Sequence, residues 1–181
     1  MTKWKLIFCV LLAMALPSTG QERGGKEASL RLLISEVQSG ALSSQHNCML
    51  VFADHRFHDE RAVLKSGKDR DRTVYEGDLS DTEWNALNGI LDSDDFRKLN
   101  VAQGYVPLVM QNAHVYAISV LRDKEFQNME FMDDKSRKAY DAQLKPLFQW
   151  QKSFRSKRMT ASEAPPDSRC KLDNASGVFS Y

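Results

Sequence analysis

Residues 48–61, "CMLVFADHRFHDER", decide how this chain folds. Two apolar or alternating runs, 48–53 and 56–65 ("RFHDERAVLK"), flank Asp54-His55. β-branched and aromatic residues on either side of a short polar break read as two strands joined by a tight hairpin. The spacing predicts Asp54 and His55 as the two central residues, with Phe52 opposite Phe57 and His58 opposite Val51. Such a turn takes positive φ, and histidine is among the few non-glycine residues that enter that region. The competing reading takes His55-x-x-His58 as a metal pair. On a helix that spacing converges, but on a hairpin one ring sits at the tip and the other points elsewhere. The hairpin is the better account, so His55 and His58 stand only as minor metal candidates.

The pattern extends outward from this hairpin. "SLRLLISEVQ" (29–38) reads as a preceding strand, "SGALSSQHN" as a loop, "SGKDRD" (66–71) as a charged turn and "RTVYEGDL" (72–79) as a fourth strand. In "LSDTEW", Ser80 and Glu83 stand at N-cap and N3 of a helix, flanked by Leu79 and Trp84 as a hydrophobic staple. Trp84, Leu87, Ile90 and Leu91 then recur at helical spacing. "DSDDFRKLN" (92–100) follows as a short capped turn. Its acids lack the glycine and the final glutamate of a calcium loop.

"AHVYAISVLR" (113–122) predicts a strand with His114, Tyr116, Ile118 and Val120 on one face, paired with 126–132 through Asp123-Lys124. A last helix starts near Asp133-Asp134 and buries Tyr140, Leu144, Leu147, Phe148 and Phe154, with Trp150 at its flank. Pro146 should kink or split it. The order β-β-β-β-α-β-β-α predicts an α+β fold: an antiparallel sheet of five to six strands with two helices packed on one face.

The first twenty residues, "MTKWKLIFCVLLAMALPSTG", have two lysines, an apolar run too short to span a bilayer and small residues beyond it. That is the pattern of a secretory signal peptide. Residues 21–28 then read as a flexible lead-in, 29–156 as a single α+β domain and 157–181 as a C-terminal tail. Basic and acidic residues nearly balance, at 25 and 24, so no overall field draws the chain to nucleic acid or anionic membrane. No later apolar stretch is long enough for a membrane span in the mature form. Cleavage leaves Cys48 and Cys170. In an oxidising compartment such a pair reads as a disulfide tethering the tail, the alternative being a free thiol at Cys48 aided by His46.

"CMLVFADHRFHDER" and "VYEGDLSDTEWNALNGILDSDDFRKL", with the later "YDAQLKPLFQW", resemble a family of small exported bacterial proteins of unknown function. The resemblance implies export and this architecture but no activity, and His55 stands where that family's turn has glycine. A looser likeness, in layout alone, is to emfourin-type inhibitors of metalloproteases, carried by "VYAISV" and "PLFQW".

No nucleophile elbow, zinc spacing, phosphate loop or dinucleotide fingerprint occurs, and no cofactor is called for. The functional expectation is an exported, periplasmic or extracellular module that binds another exported or cell-envelope protein. Two contact surfaces are expected: Asp54, His55, Arg56 and His58 on the hairpin, and Tyr105, Val106 and Leu108 in the 101–112 loop. The alternatives are an inhibitor of a secreted protease and a histidine-based metal-binding protein or enzyme.

Overall fold

The computed structural model describes residues 29–65, 68–101, 113–157 and Cys170. The expected signal peptide and lead-in, the loop residues Tyr105, Val106 and Leu108, and the tail apart from Cys170 lie outside the described residues.

Six strands form one antiparallel sheet: β1 (Leu30–Ser39), β2 (Ser43–Phe52), β3 (Arg56–Lys65), β4 (Lys68–Asp78), β5 (His114–Arg122) and β6 (Glu125–Phe131). Their order across the sheet is β4-β3-β2-β1-β5-β6. The first strand is thus central, between β2 and β5. The fold is α+β, as expected, and the described residues hold four helices where two were expected. α1 (Asp81–Leu91) is followed by the single turn α2 (Asp94–Arg97), and α4 (Asp141–Lys157) is preceded by the short α3 (Asp134–Lys138).

The two-residue period of the strands decides which side chains meet the helices. Leu32 and Ile34 of β1 share a face with Met49 and Val51 of β2, Phe57 of β3, Ile118 and Val120 of β5, and Met129 and Phe131 of β6. These pack with Leu87, Leu91, Phe96, Leu144, Leu147 and Phe154 in one apolar cluster. Phe96 is fully buried, and truncating it to alanine would cost about 3–5 kcal/mol through the cavity left behind. Gly77 makes room on this face: a Cβ there would stand 3.1 Å from the Phe57 ring.

The caps follow the sequence signals. Ser80 Oγ accepts from the Glu83 amide while the Glu83 carboxylate accepts from the Ser80 amide, closing the capping box of α1. Ser93 Oγ caps α2 by accepting from the Phe96 amide, and Trp150 ties α4 to α1 by donating to the Glu83 carbonyl at 3.2 Å.

Three local expectations are corrected. β2 begins at Ser43, so the polar run Ser43–Asn47 is strand, not loop. A central strand gains backbone pairing on both sides, and that outweighs its lack of apolar residues. β4 likewise begins at Lys68, within the expected turn. Pro146 does not divide α4. It lies inside the helix, and the break falls earlier, at Ala139-Tyr140. The proline's missing bond would have gone to Ala142, and both residues are exposed, so water can satisfy that carbonyl.

Candidate functional site

The hairpin at 52–56 differs from the expected one by one residue. Val51 faces Phe57 and Leu50 faces His58, so Ala53, Asp54 and His55 form a three-residue loop. The His55 amide donates to the Phe52 carbonyl at 3.1 Å, and His55 then takes φ 73°. This is the turn-plus-left-handed-residue arrangement of three-residue hairpins. Phe52 therefore pairs with Arg56, whose guanidinium lies 5.4 Å over its ring, and Phe57 packs edge-on against Phe154 at 4.9 Å.

His55 is held by its surroundings. Its ring stacks on Trp84 of α1, centroids 4.4 Å apart. Its carbonyl accepts from the Leu79 amide at 2.9 Å. Beside it Arg56 Nε donates to Asp54 Oδ2 at 2.7 Å, and both of those side chains are exposed. The tip is thus braced from below by α1 and charged above.

His58 belongs elsewhere. It is buried on the sheet face away from the helices, not on the hairpin surface. Its Nδ1–H donates to Glu76 Oε1 at 2.9 Å and its Nε2–H to Glu60 Oε2 at 3.3 Å. Burial works against the charged ring, but the two glutamates outweigh it and raise the His58 pKa. Glu60 also accepts from Arg72 Nε at 3.0 Å and from the Cys170 amide at 2.7 Å. Burial opposes its ionisation too, yet these donors hold its pKa down to about 2. One strand away, Cys48 is joined to Cys170 by the expected disulfide, Cα atoms 6.4 Å apart. The Cys48 sulfur is therefore not a free thiol, and His46 lies against Ser44 Oγ at 3.0 Å.

His114 lies on the expected face of β5, with Tyr116, Ile118 and Val120. Its ring sits between Glu36, 2.8 Å from Nε2, and Asp134 of α3, 3.2 Å from Nδ1. The Tyr116 hydroxyl reaches Asp134 Oδ1 at 3.4 Å, and Arg137 covers the Tyr116 ring at 4.6 Å. Asn47 Nδ2 donates to the other Glu36 oxygen at 2.9 Å. Burial raises the Glu36 carboxyl, but Asn47 and His114 overcome it and the pKa falls. Burial, then the Glu36 charge, pushes the Tyr116 phenol up. Predicting this set requires Asp134 to be docked on β5, which no local spacing encodes.

These placements limit the chemistry. His55 and His58 engage different partners on different sides of the sheet and do not converge. Glu36 and Asp134 approach opposite edges of the His114 ring. Among the described residues, no group of three or more histidine, cysteine, aspartate or glutamate side chains is arranged to hold a metal ion. None of the described helices is long and apolar enough to cross a membrane.

The hairpin tip lies at the sheet end that carries Leu30, Asp78 and Arg122. The second expected surface, Tyr105, Val106 and Leu108, lies outside the described residues. In comparison with known proteins, no family model matches this chain and no curated protein matches it.

Proposed function

We propose that this is an exported protein that acts by binding another exported or cell-envelope protein through the braced hairpin tip, Asp54, His55 and Arg56, beside the start of α1. The observation that carries this reading is the His55 backbone, held at φ 73° without glycine by the Trp84 stack. A non-glycine residue persists in that conformation only where its surroundings over-determine it, and such residues cluster at functional positions. A loop already rigid loses little freedom on docking, and its exposed Asp54–Arg56 pair offers directional polar contacts.

Export is supported by the signal-like pattern of residues 1–20 and by the Cys48–Cys170 bond, which suits an oxidising compartment. By the same reading the chain belongs with the small exported bacterial proteins it resembles.

The test installs a photo-crosslinking residue at position 54 in an exporting bacterial host and identifies the protein it captures. The affinity of that purified protein is then measured for wild type, for Asp54→Ala/Arg56→Ala and for Lys145→Gln on the exposed side of α4. A loss of about tenfold or more is expected for the double variant alone, the size of a small interface hot spot. Equal affinities for all three proteins would end the reading. If the captured protein is a protease that loses activity in the complex, the same surface is inhibitory.

A further inference from the structure

A second charged feature lies along the same end of the sheet, where α1 ends. Asp92, the C-cap of α1, accepts from three arginines at once. Arg31 reaches both of its oxygens at 3.0 Å, Arg122 reaches Oδ1 at 3.0 Å and Arg97 reaches Oδ1 at 3.2 Å. The three come from β1, β5 and α2, separated in sequence by tens of residues.

Each of the two inner arginines is held from behind. Arg31 Nε donates to Asn88 Oδ1 at 2.9 Å and its NH1 group to the Leu121 carbonyl at 2.6 Å. Arg122 donates twice to Gln127 Oε1, at 3.0 and 2.8 Å. The Gln127 amide is fixed in turn by the carbonyls of Leu99 and Phe96, at 2.8 and 3.1 Å. Arg31 meets α1 because the β1–β2 register shifts between Leu30 and Leu32. By simple alternation it would share the side of Leu33, away from the helices; the bulge turns it toward them.

The charges do not balance. Among the described residues, Asp92 is the carboxylate that pairs with any of the three guanidiniums. Burial first, and then the Arg31 charge, lowers the Arg122 pKa, and the Asp92 charge offsets this only in part. The corner is open, since the Asp92 and Arg97 side chains are about half exposed. Arg97 directs one N–H at Asp92 and a guanidinium carries five.

We propose that this corner is a binding site for a dianionic oxyanion, a phosphate or sulfate group, seated on Arg97 and Arg122 beside Asp92. Three guanidiniums and one carboxylate leave two positive charges, which a dianion neutralises. Planar guanidinium forks match tetrahedral oxyanions in paired hydrogen bonds. Because Arg31 and Arg122 are already braced, only Arg97 has to adjust to accept the group. The proposal does not depend on the hairpin tip and fails separately from it.

The experiment is a calorimetric titration of the full disulfide-bonded protein with sodium phosphate, sodium sulfate and O-phosphoserine, with sodium chloride holding ionic strength constant. Saturable one-to-one binding is expected. Arg97→Gln should weaken it about tenfold, in line with the loss of charge-assisted bonds, and Lys145→Gln should leave it unchanged. Asp92→Asn removes the competing negative charge and should tighten binding severalfold, a result that loss of folding cannot imitate. Binding of O-phosphoserine without the inorganic ions identifies a group carried by a partner, and binding of the inorganic ions shows that the free group suffices. No saturable binding by any of the three, or Arg97→Gln binding as wild type does, would overturn the site.

Discussion

The two faces of the sheet each hold a histidine between two carboxylates, and they differ in what seals them. On the face away from the helices, His58 and Glu60 are almost closed from solvent, at 7% and 15% side-chain exposure, while Glu76 is at 47%. Their cluster gathers β3, β4 and the tail at Cys170. On the helix face, His114 is 22% exposed and its partner Asp134 62%, so that cluster fastens α3 to the sheet at an open rim. The ring and the carboxylates are the same chemistry. The surrounding water decides how strongly each pair is coupled, because exposed ion pairs are screened and contribute little. Buried groups stripped of a partner are costly.

The largest break in the comparison removes the tether. Cys48→Ala/Cys170→Ala should lower unfolding free energy by about 4–5 kcal/mol, from the entropy of a loop of this length, read as the shift in a urea midpoint. A change under about 1 kcal/mol would show that the tail adds little to the sealed cluster.

Next, Glu60→Gln removes the charge and one of the two oxygens that accept from His58, Arg72 and the Cys170 amide. Hydrogen bonds to charged groups are worth about 1.5–3 kcal/mol, and a destabilisation of about 2–3 kcal/mol is expected in the same assay. A smaller loss than that of the open cluster would reverse the ranking.

The third test is pH. His58 is raised above its ordinary 6.5, so its contribution is complete below 6.5 and is lost as pH rises through the folded value. Glu60 is lowered from 4.5 to about 2, so its contribution is complete above 4.5 and is lost as pH falls toward 2. The sealed cluster therefore stabilises most between 4.5 and 6.5, and His58→Gln should flatten the alkaline limb of a stability–pH curve. An unchanged alkaline limb would remove His58 as its cause.

The smallest effect belongs to the open rim. Glu36→Gln keeps the Asn47 contact and weakens that to His114, at a cost of about 1 kcal/mol or less after screening. Thermal unfolding at low and high salt should show the deficit shrinking with salt, as screening requires.

Signals that act within a few residues were legible in the sequence. The Ser80–Glu83 box, the Tyr116–Ile118–Val120 face and the opposite orientation of Phe57 and His58 each follow from period or capping. The hairpin was legible as a hairpin but not in its register. Asp54-His55 fits a two-residue turn as readily as the end of a three-residue one, and the Trp84 stack that favours the latter comes from α1. The polar start of β2 was hidden for a related reason, since a central strand draws on neighbours the local sequence does not show. The tip residues Asp54, His55 and Arg56 could be nominated from their turn, whereas His58 could not be seen to join Glu76. Nor did any spacing announce the Arg31–Asp92–Arg122 corner, whose members are brought together by a bulge, a helix end and a distant strand.

The central position of β1 bears on how the molecule is made. A chain that emerges N-terminus first can form the β1–β4 meander as soon as residue 78 is free. Its oldest strand then waits with one edge bare until β5 appears. Through that interval Leu32 and Ile34 lie in an open template for any other extended chain, the usual origin of edge-to-edge aggregation. The polar outer half of β1, "EVQS" at 36–39, faces the same wait and makes a poorer template. A circular permutant opened between Asp78 and His114 would make β5 before β1 and should raise the yield of folded protein on synthesis.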